Sequence, residues 1–285
     1  MDETDTELQP ARHKHAGDLE DFVRQHDRIF VLSGAGISTD SGIPGYRDDD
    51  GRWKRSPPVQ WPDFLRSEST RRRYWARSML GWPLVGRAVP NAAHRALAQL
   101  EAAGRVRSLV TQNVDGLHQR AGSSGVIELH GTISQVVCLD CGAEHSRESI
   151  QHLLQRDNPA LCDLSALAAP DGDAELESHH MDTFHVPGCD LCGGMLKPAV
   201  VFFGENVPRQ RVDDAALALE RADAMLVVGS SLMVYSGYRF CEWAQRMGKP
   251  IAAVNRGRTR ADHLFAVKVE APCVDVLVPL ASSLH

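Results

Sequence analysis

The chain has 285 residues, 43% of them hydrophobic, enough to bury a large core in one domain or in a large domain with a smaller partner. Its 31 basic and 37 acidic side chains leave a formal net charge of −6, which argues against nucleic-acid binding driven by phosphate neutralisation. No window approaches the roughly 18 apolar residues of a membrane span.

Residues 1–15 read as a disordered tail, and Met1 to Gln9 is acidic and polar, without the features of a secretory signal or a mitochondrial presequence. A soluble, cytoplasmic protein is expected, with no membrane and no direct nucleic-acid contact. A short helix over Gly17–Gln25 precedes an apolar strand over 28–33. That strand runs into Gly34-Ala35-Gly36-Ile37-Ser38, a tight turn whose N–H groups can approach an anion, as at the phosphate-binding start of a dinucleotide fold. Gly34-x-Gly36-x-x-Thr39 lacks the third glycine of that fingerprint, and ordinary strand–helix connections share its small residues. The continuation of the chain is unusual: a second glycine turn, Ser41-Gly42-Ile43-Pro44-Gly45, ends in Tyr46-Arg47 where a dinucleotide fold normally enters its helix.

The stretch from 48 to 86 is rich in tryptophan and arginine and shows no strand pattern. Ser69–Arg77 reads as a helix stopped near Gly81 and Pro83. The Arg71–Arg73 run could meet phosphates, but a solvated helix face is the commoner use. Asn91 caps a helix over Ala92–Ala103 that ends at Gly104.

A strand over Val106–Val110 opens into Thr111-Gln112-Asn113-Val114-Asp115-Gly116-Leu117-His118, and a short strand over Val126–Leu129 ends at His130-Gly131. Strand ends meet the ligand crevice in open α/β sheets, and a near-neutral pKa suits His130 to general-base work on a hydroxyl. The plainer alternative is a packed or surface histidine. Gln112, Asn113, Asp115 and His118 have a similar alternative as turn and capping residues.

From Ile133 to Leu196 the pattern changes to cysteines, turns and a loop rich in Asp, Pro and Ala. Four of the seven cysteines form two knuckles, Cys138-x-x-Cys141 and Cys189-x-x-Cys192, each followed by a glycine. Four thiolates in this arrangement match one structural, tetrahedral Zn²⁺ with no open position. The interval between knuckles exceeds the usual zinc-ribbon spacing, which leaves room for His145, Cys162, His179, His180 or His185 to replace a ligand. Four reduced buried thiols are the poorer alternative, because the surrounding sequence is polar.

Regular alternation then resumes. Val200–Phe203, Ala224–Val228 and Ile251–Val254 read as buried strands separated by helices near 211–222 and 237–247. Gly229-Ser230-Ser231 and Asn255-Arg256-Gly257 end two of these strands, as ligand-facing loops or as simple turns. The expected fold is α/β: a doubly wound, parallel-sheet Rossmann-type domain from 16–47, 87–132 and 197–285. A smaller inserted module would combine a helical part, 48–86, with a zinc-binding part, 133–196.

Taken together these residues resemble the sirtuin family, the NAD-dependent protein deacylases, from about residue 20 to 280. The resemblance rests on Gly-Ala-Gly-Ile-Ser at 34–38, Gly-Ile-Pro at 42–44, Thr-Gln-Asn-Val-Asp at 111–115 and His-Gly at 130–131. The two cysteine pairs, Lys197-Pro198 with Val200–Glu205, and Gly229-Ser230-Ser231-Leu232 come next in family order. Arg73–Arg77 with Gly81-Trp82-Pro83, Ala169–Asp173 and Val234-Tyr235-Ser236-Gly237-Tyr238-Arg239-Phe240 look like the class II branch, which includes the mitochondrial sirtuin four; the acidic N-terminus points to a bacterial relative.

The resemblance implies that NAD loses nicotinamide while the acyl oxygen of a modified lysine attacks the ribose. Asn113 and Asp115 would hold the nicotinamide ribose and carboxamide, with Ile43, Gln112 and Val114 nearby. His130 would deprotonate a ribose hydroxyl. Tyr46 would shield the reacting sugar, and Arg47 would order the loop over NAD. Gly34, Ala35, Gly36, Ile37 and Ser38 would cradle phosphate and ribose together with Gly229, Ser230 and Ser231. Asn255, Arg256, Gly257 and Cys273 would border the adenine. An acyl-lysine peptide or protein would add as a strand between Phe203-Gly204-Glu205 and the segment reaching Val234 and Tyr235.

One position departs from the family pattern, which has Asp where this chain has Gly45. That change keeps other acyl preferences, mono-ADP-ribosyl transfer and a non-catalytic NAD- or ADP-ribose-sensing module in view as alternatives. A hydride-transferring oxidoreductase is the weakest alternative, because it leaves His130, Asn113 and Asp115 unexplained. A monomer is the working expectation for assembly.

Overall fold

A computed structural model describes residues 16–54, 57–162 and 183–284. The tail at 1–15 and the segments holding Ala169–Asp173, His179 and His180 lie outside the described residues. In chain order the strands are β1 (Ile29–Ser33), β2 (Val106–Thr111), β3 (Ile127–Glu128), β4 (Gly131–Cys138), β5 (Glu144–Ser146), β6 (Leu196–Val200), β7 (Ala224–Val228), β8 (Ile251–Val254) and β9 (Val267–Val269). The helices are α1 (Ala16–Gln25), α2 (Trp61–Arg66), α3 (Glu68–Arg87), α4 (Ala92–Ala102), α5 (Leu117–Arg120), α6 (Arg147–Asp157), α7 (Arg209–Glu220), α8 (Tyr235–Arg246) and α9 (Cys273–Ser283).

Six strands form a parallel sheet in the order β3-β2-β1-β7-β8-β9. Strand side chains alternate between its faces. Ile29, Val31, Leu226, Val228, Ala252 and Val254 pack on α1, α4 and α9, while Phe30, Leu32, Met225, Val227 and Ala253 pack on α7 and α8. Both faces are covered, which is why these strands read as unbroken apolar runs. The chain winds outward from β1 on one side and from β7 on the other. The loops after β1 and β7 therefore diverge at their carboxyl ends, the topological switch point where ligands bind in such sheets.

Strands β5-β4-β6 form a second, antiparallel sheet. Its core joins Ile133, Val136 and Leu196 to Phe64, Trp75 and Met79 of α2 and α3 and to Ile150 and Leu154 of α6. Two expectations change here. The strand expected over Val200–Phe203 lies instead at Leu196–Val200 and pairs with β4, not with the parallel sheet. Residues 131–132 and 197–200 thus belong to the small sheet. An apolar run is buried in either place, so its pattern alone does not say which sheet receives it.

The helix expected to stop near Gly81 and Pro83 runs on to Arg87 as α3. Proline removes the N–H that would have bonded to the Met79 carbonyl. That carbonyl accepts instead from Gln151 Nε2 at 2.8 Å, and the neighbouring Ser78 carbonyl accepts from Arg147 Nη2 at 3.1 Å. Donors from α6 thus replace the missing helix bond. Arg147 is fully buried against Trp75 and Trp82, and burial lowers its pKa to about 10, leaving it charged at neutral pH. Arg71 donates to the carbonyls of Phe64 and Leu65 at the end of α2, a structural use of the arginine run. No helix among the described residues is long and apolar enough to cross a membrane.

Candidate active site and metal centre

A cavity of about 480 Å³ opens at the switch point. It is lined by His130 and by every expected cofactor and peptide-contacting residue except Ile37, which turns into the core beneath its loop. The turn after β1 is a tight helical segment, Ala35–Ser41. Gly36 donates its N–H to the Gly229 carbonyl at 2.7 Å, and Gly34 donates to Val228 at 2.9 Å. A Cβ on Gly34 would lie 2.7 Å from Ser230 Cβ, so this glycine is needed to let the two loops touch.

Asn113 and Asp115, at the carboxyl end of β2, are organised by Ser38. Ser38 Oγ donates to Asp115 Oδ2 at 2.7 Å and accepts from Asn113 Nδ2 at 3.1 Å, while the same Asn113 amide donates to the Gly34 carbonyl. Burial raises the Asp115 pKa; the Leu117 N–H and the Ser38 hydroxyl oppose that rise. Behind this network lie His94 and His118, both fully buried, with ring centroids 4.9 Å apart. Burial pulls their pKa values down to about 4 and about 3, so both are neutral. Gln112 turns its amide the other way, donating to Ser230 Oγ at 2.8 Å.

His130 lies two residues past the end of β3 and lines the cavity. Its Nδ1 lies 2.9 Å from the Gln112 carbonyl oxygen and its Nε2 2.8 Å from Ser236 Oγ. Burial lowers its pKa to about 4, which leaves a neutral imidazole able to accept a proton at neutral pH.

Tyr46, Arg47 and Trp53 belong to a short hairpin-like loop over the cavity. The Arg47 guanidinium lies 3.8 Å above the Trp53 ring and donates to the Gly51 carbonyl, while Tyr46, Trp53 and Phe203 pack edge to face. The loop docks on the turn after β8, where Arg258 N donates to Asp49 O at 2.8 Å. Gly257 touches the Asp49 backbone so closely that no side chain would fit. Trp53 and Ser236 are site residues that the sequence alone does not single out. A tryptophan between charged residues gives no periodic signal, and Ser236 stands in the sequence only as part of a class II segment.

At the Phe203–Glu205 side of the cavity, Glu205 is engaged on both oxygens, with Lys197 Nζ at 2.9 Å and the Phe202 N–H at 2.8 Å. The Phe203 carbonyl already accepts from Trp61 N at 2.8 Å. These bonds give Glu205 an anchoring role within its own loop.

Four sulfurs at about 2.3 Å from a tetrahedral Zn²⁺ stand about 3.8 Å apart. Cys138 and Cys192 are separated by 3.5 Å, Cys141 and Cys189 by 3.8 Å, and all four sulfurs lie within 4.8 Å of one another. The knuckles match in backbone as well: Gly142 N donates to Cys138 O and Gly193 N to Cys189 O, both glycines having positive φ. The four-cysteine cluster fits one structural zinc ion. Of the alternative ligands, Cys162 bonds to the carbonyls of Gln155 and Asn158, and His185 lies by Asp157. His145 sits beside the cluster, its Nε2 3.5 Å from Cys189 Sγ.

A doubly wound parallel sheet, two glycine loops at its switch point and an attached four-cysteine module define a Rossmann-like nucleotide-binding protein with a metal-binding insertion. Residues 34–236 match the model of the Sir2 family. The chain belongs to that family, the sirtuins. It is 60% identical over 259 residues to an NAD-dependent protein deacetylase of Xanthomonas campestris pv. campestris strain 8004, covering 91% of this chain and 88% of that one. It is 56% identical over 264 residues to an NAD-dependent protein deacetylase of Bordetella bronchiseptica, covering 93% and 96%. Among solved structures it is similar to one described as the structural basis for the mechanism and regulation of Sir2 enzymes. That match has a TM-score of 0.75, 32% identity, and coverage of 94% and 97%. A Sir2–p53 peptide–NAD⁺ complex matches with TM-score 0.73 and 30% identity, over 95% of this chain and 98% of that one.

Proposed function

We propose that this chain is an NAD-dependent protein-lysine deacylase that releases nicotinamide and O-acyl-ADP-ribose. The observation that carries this reading is the convergence on one cavity of a neutral His130, the Ser38–Asn113–Asp115 network and two glycine loops locked at backbone distance. The names of the relatives agree with it. They lend the ADP-ribosyltransferase and sensing alternatives no comparable support.

Bound NAD would supply the ADP-ribose acceptor and nicotinamide as leaving group. The N–H groups of the Gly34–Ser38 turn and the Gly229–Ser231 loop would hold the phosphates and ribose, with Asn255, Arg256, Gly257 and Cys273 towards the adenine. Asn113 and Asp115 would fix the nicotinamide half. Tyr46, Trp53 and Phe203 would exclude water, and His130 Nε2 would take the proton of a bound hydroxyl. Acyl-lysine proteins or peptides would enter between Phe203–Glu205 and Val234–Tyr235. Our reading places the NAD-binding domain in 16–47, 87–130 and 201–285 and the smaller module in 48–86 and 131–200, the boundaries shifted by the β4–β6 pairing. It further describes a bacterial, cytoplasmic, monomeric enzyme of class II character, the last resting on residues such as Val234–Phe240.

The test is incubation with NAD and a panel of acyl-lysine peptides. Nicotinamide and O-acyl-ADP-ribose should appear together, and His130→Ala should abolish them without changing the zinc content. Absence of turnover on every acyl chain, or full activity of His130→Ala, would overturn the reading.

A further inference from the structure

His130 is gripped at both ring nitrogens, by the Gln112 carbonyl at Nδ1 and by the Ser236 hydroxyl at Nε2. A carbonyl oxygen only accepts, so Nδ1 carries the proton and Nε2 is the bare acceptor. An imidazole nitrogen of that kind has a single in-plane lone pair. The nitrogen that would act as base is therefore the one Ser236 already occupies.

Ser236 stands in the first turn of α8 and lines the same cavity. The next residue, Gly237, lies so close to the Gln112 carboxamide that a Cβ there would collide with it. The first turn of α8 is thus packed on the Gln112 carboxamide, with the Ser236 hydroxyl 2.8 Å from His130 Nε2.

We propose that Ser236 is a positioning residue for His130: its hydroxyl keeps Nε2 unprotonated and aimed into the cavity until a substrate hydroxyl replaces it on the lone pair. The proposal rests on the reading of His130 as the base. Two cations bear on the ring, Arg211 from α7 and Arg239 from α8, and both disfavour the imidazolium, whereas the Gln112 carbonyl favours it. The Ser236 bond acts with the arginines, because it must break before Nε2 can be protonated. Without it, a single hydrogen bond would hold the ring.

Nitrogen NMR of the full chain labelled at histidine tests this at neutral pH, with the His130 signals assigned by comparison with His130→Asn. The wild type should show a proton on Nδ1 and a hydrogen-bonded, unprotonated Nε2. Ser236→Ala should move the Nε2 resonance downfield, and Ser236→Thr, which keeps the hydroxyl, should leave it in place. In turnover of an acetyl-lysine peptide with NAD, the acid limb of kcat/KM should rise by up to about one pH unit in Ser236→Ala and return in Ser236→Thr. A proton on Nε2 in the wild type, or an unmoved resonance and acid limb in Ser236→Ala, would overturn the proposal. The spectrum needs no turnover. A wild type that leaves NAD intact would therefore sink the deacylase reading while the Ser236–His130 contact is still judged by the resonance.

Discussion

Ser38 donates to Asp115 at 2.7 Å and accepts from Asn113 at 3.1 Å, so one buried hydroxyl sets both polar residues at the end of β2. The relationship crosses from the glycine turn after β1 to the loop after β2, joining two segments 75 residues or more apart.

Ser38→Ala removes both bonds. Asp115, whose pKa burial already raises, loses a donor that favours its charged form, so its pKa should rise further. A hydrogen bond to a charged group contributes about 1.5–3 kcal/mol, so kcat/KM should fall roughly 10- to 150-fold. Steady-state kinetics with an acetyl-lysine peptide checks this; wild-type kcat/KM would show that the network does not position the site.

Acid should destabilise the fold through His94 and His118. In the unfolded chain each takes a proton near pH 6.5, but in the folded protein not until about pH 4 and about pH 3. Between those values the unfolded state binds more protons, so stability is highest above pH 6.5 and falls as pH drops toward 4. The loss is on the order of 3 kcal/mol per histidine. Urea unfolding at pH 7, 6 and 5 measures it, and His118→Gln should flatten the profile. Equal midpoints at pH 7 and 5 would contradict a buried neutral pair.

Cys141→Ala should take bound zinc from one ion per chain to less than one, as measured by metal analysis of the purified protein. The cluster ties β4 to the segment before β6, so its loss should loosen the small sheet first. Amide exchange should then speed up in β4, β5 and β6 while β1 and β7 stay protected. Uniform loss of protection would mean that the two sheets unfold as one unit.

Gly45 lies outside the left-handed region, and a Cβ there would meet nothing closer than the Arg47 carbonyl oxygen at 3.8 Å. Gly45→Ala should therefore fold normally and gain about 0.4–1 kcal/mol by restricting the unfolded chain. The Cβ of Gly45→Asp has the same space, and that variant supplies the carboxylate expected from the sirtuin resemblance. If the missing carboxylate slows this enzyme, that variant should turn over faster than the wild type. A lower thermal midpoint for Gly45→Ala would show that the glycine is required by the backbone.

Much of the architecture is legible in the sequence because β1, β7 and β8 are buried on both faces and carry apolar runs. Asn91 likewise announces α4, and the structure adds a capping box with His94. The zinc knuckles are legible because their ligands are local pairs. The strand at 196–200 and the helix through Pro83 are not, since each depends on a distant partner: β4 for one, the Gln151 amide for the other.

The sequence by itself determined the doubly wound sheet, the cysteine pairs and the set of polar residues at strand ends, because these arise from local periodicity and spacing. Only the tertiary structure decided how those residues act on one another. Hydrogen bonds from Ser38 to Asp115 and from Ser236 to His130 link residues 77 and 106 positions apart. The close packing of Gly237 on Gln112 exists only once helix and strand have met. Such contacts leave no periodic trace in a chain, because their geometry is set by the packing of whole elements and not by the residues beside them.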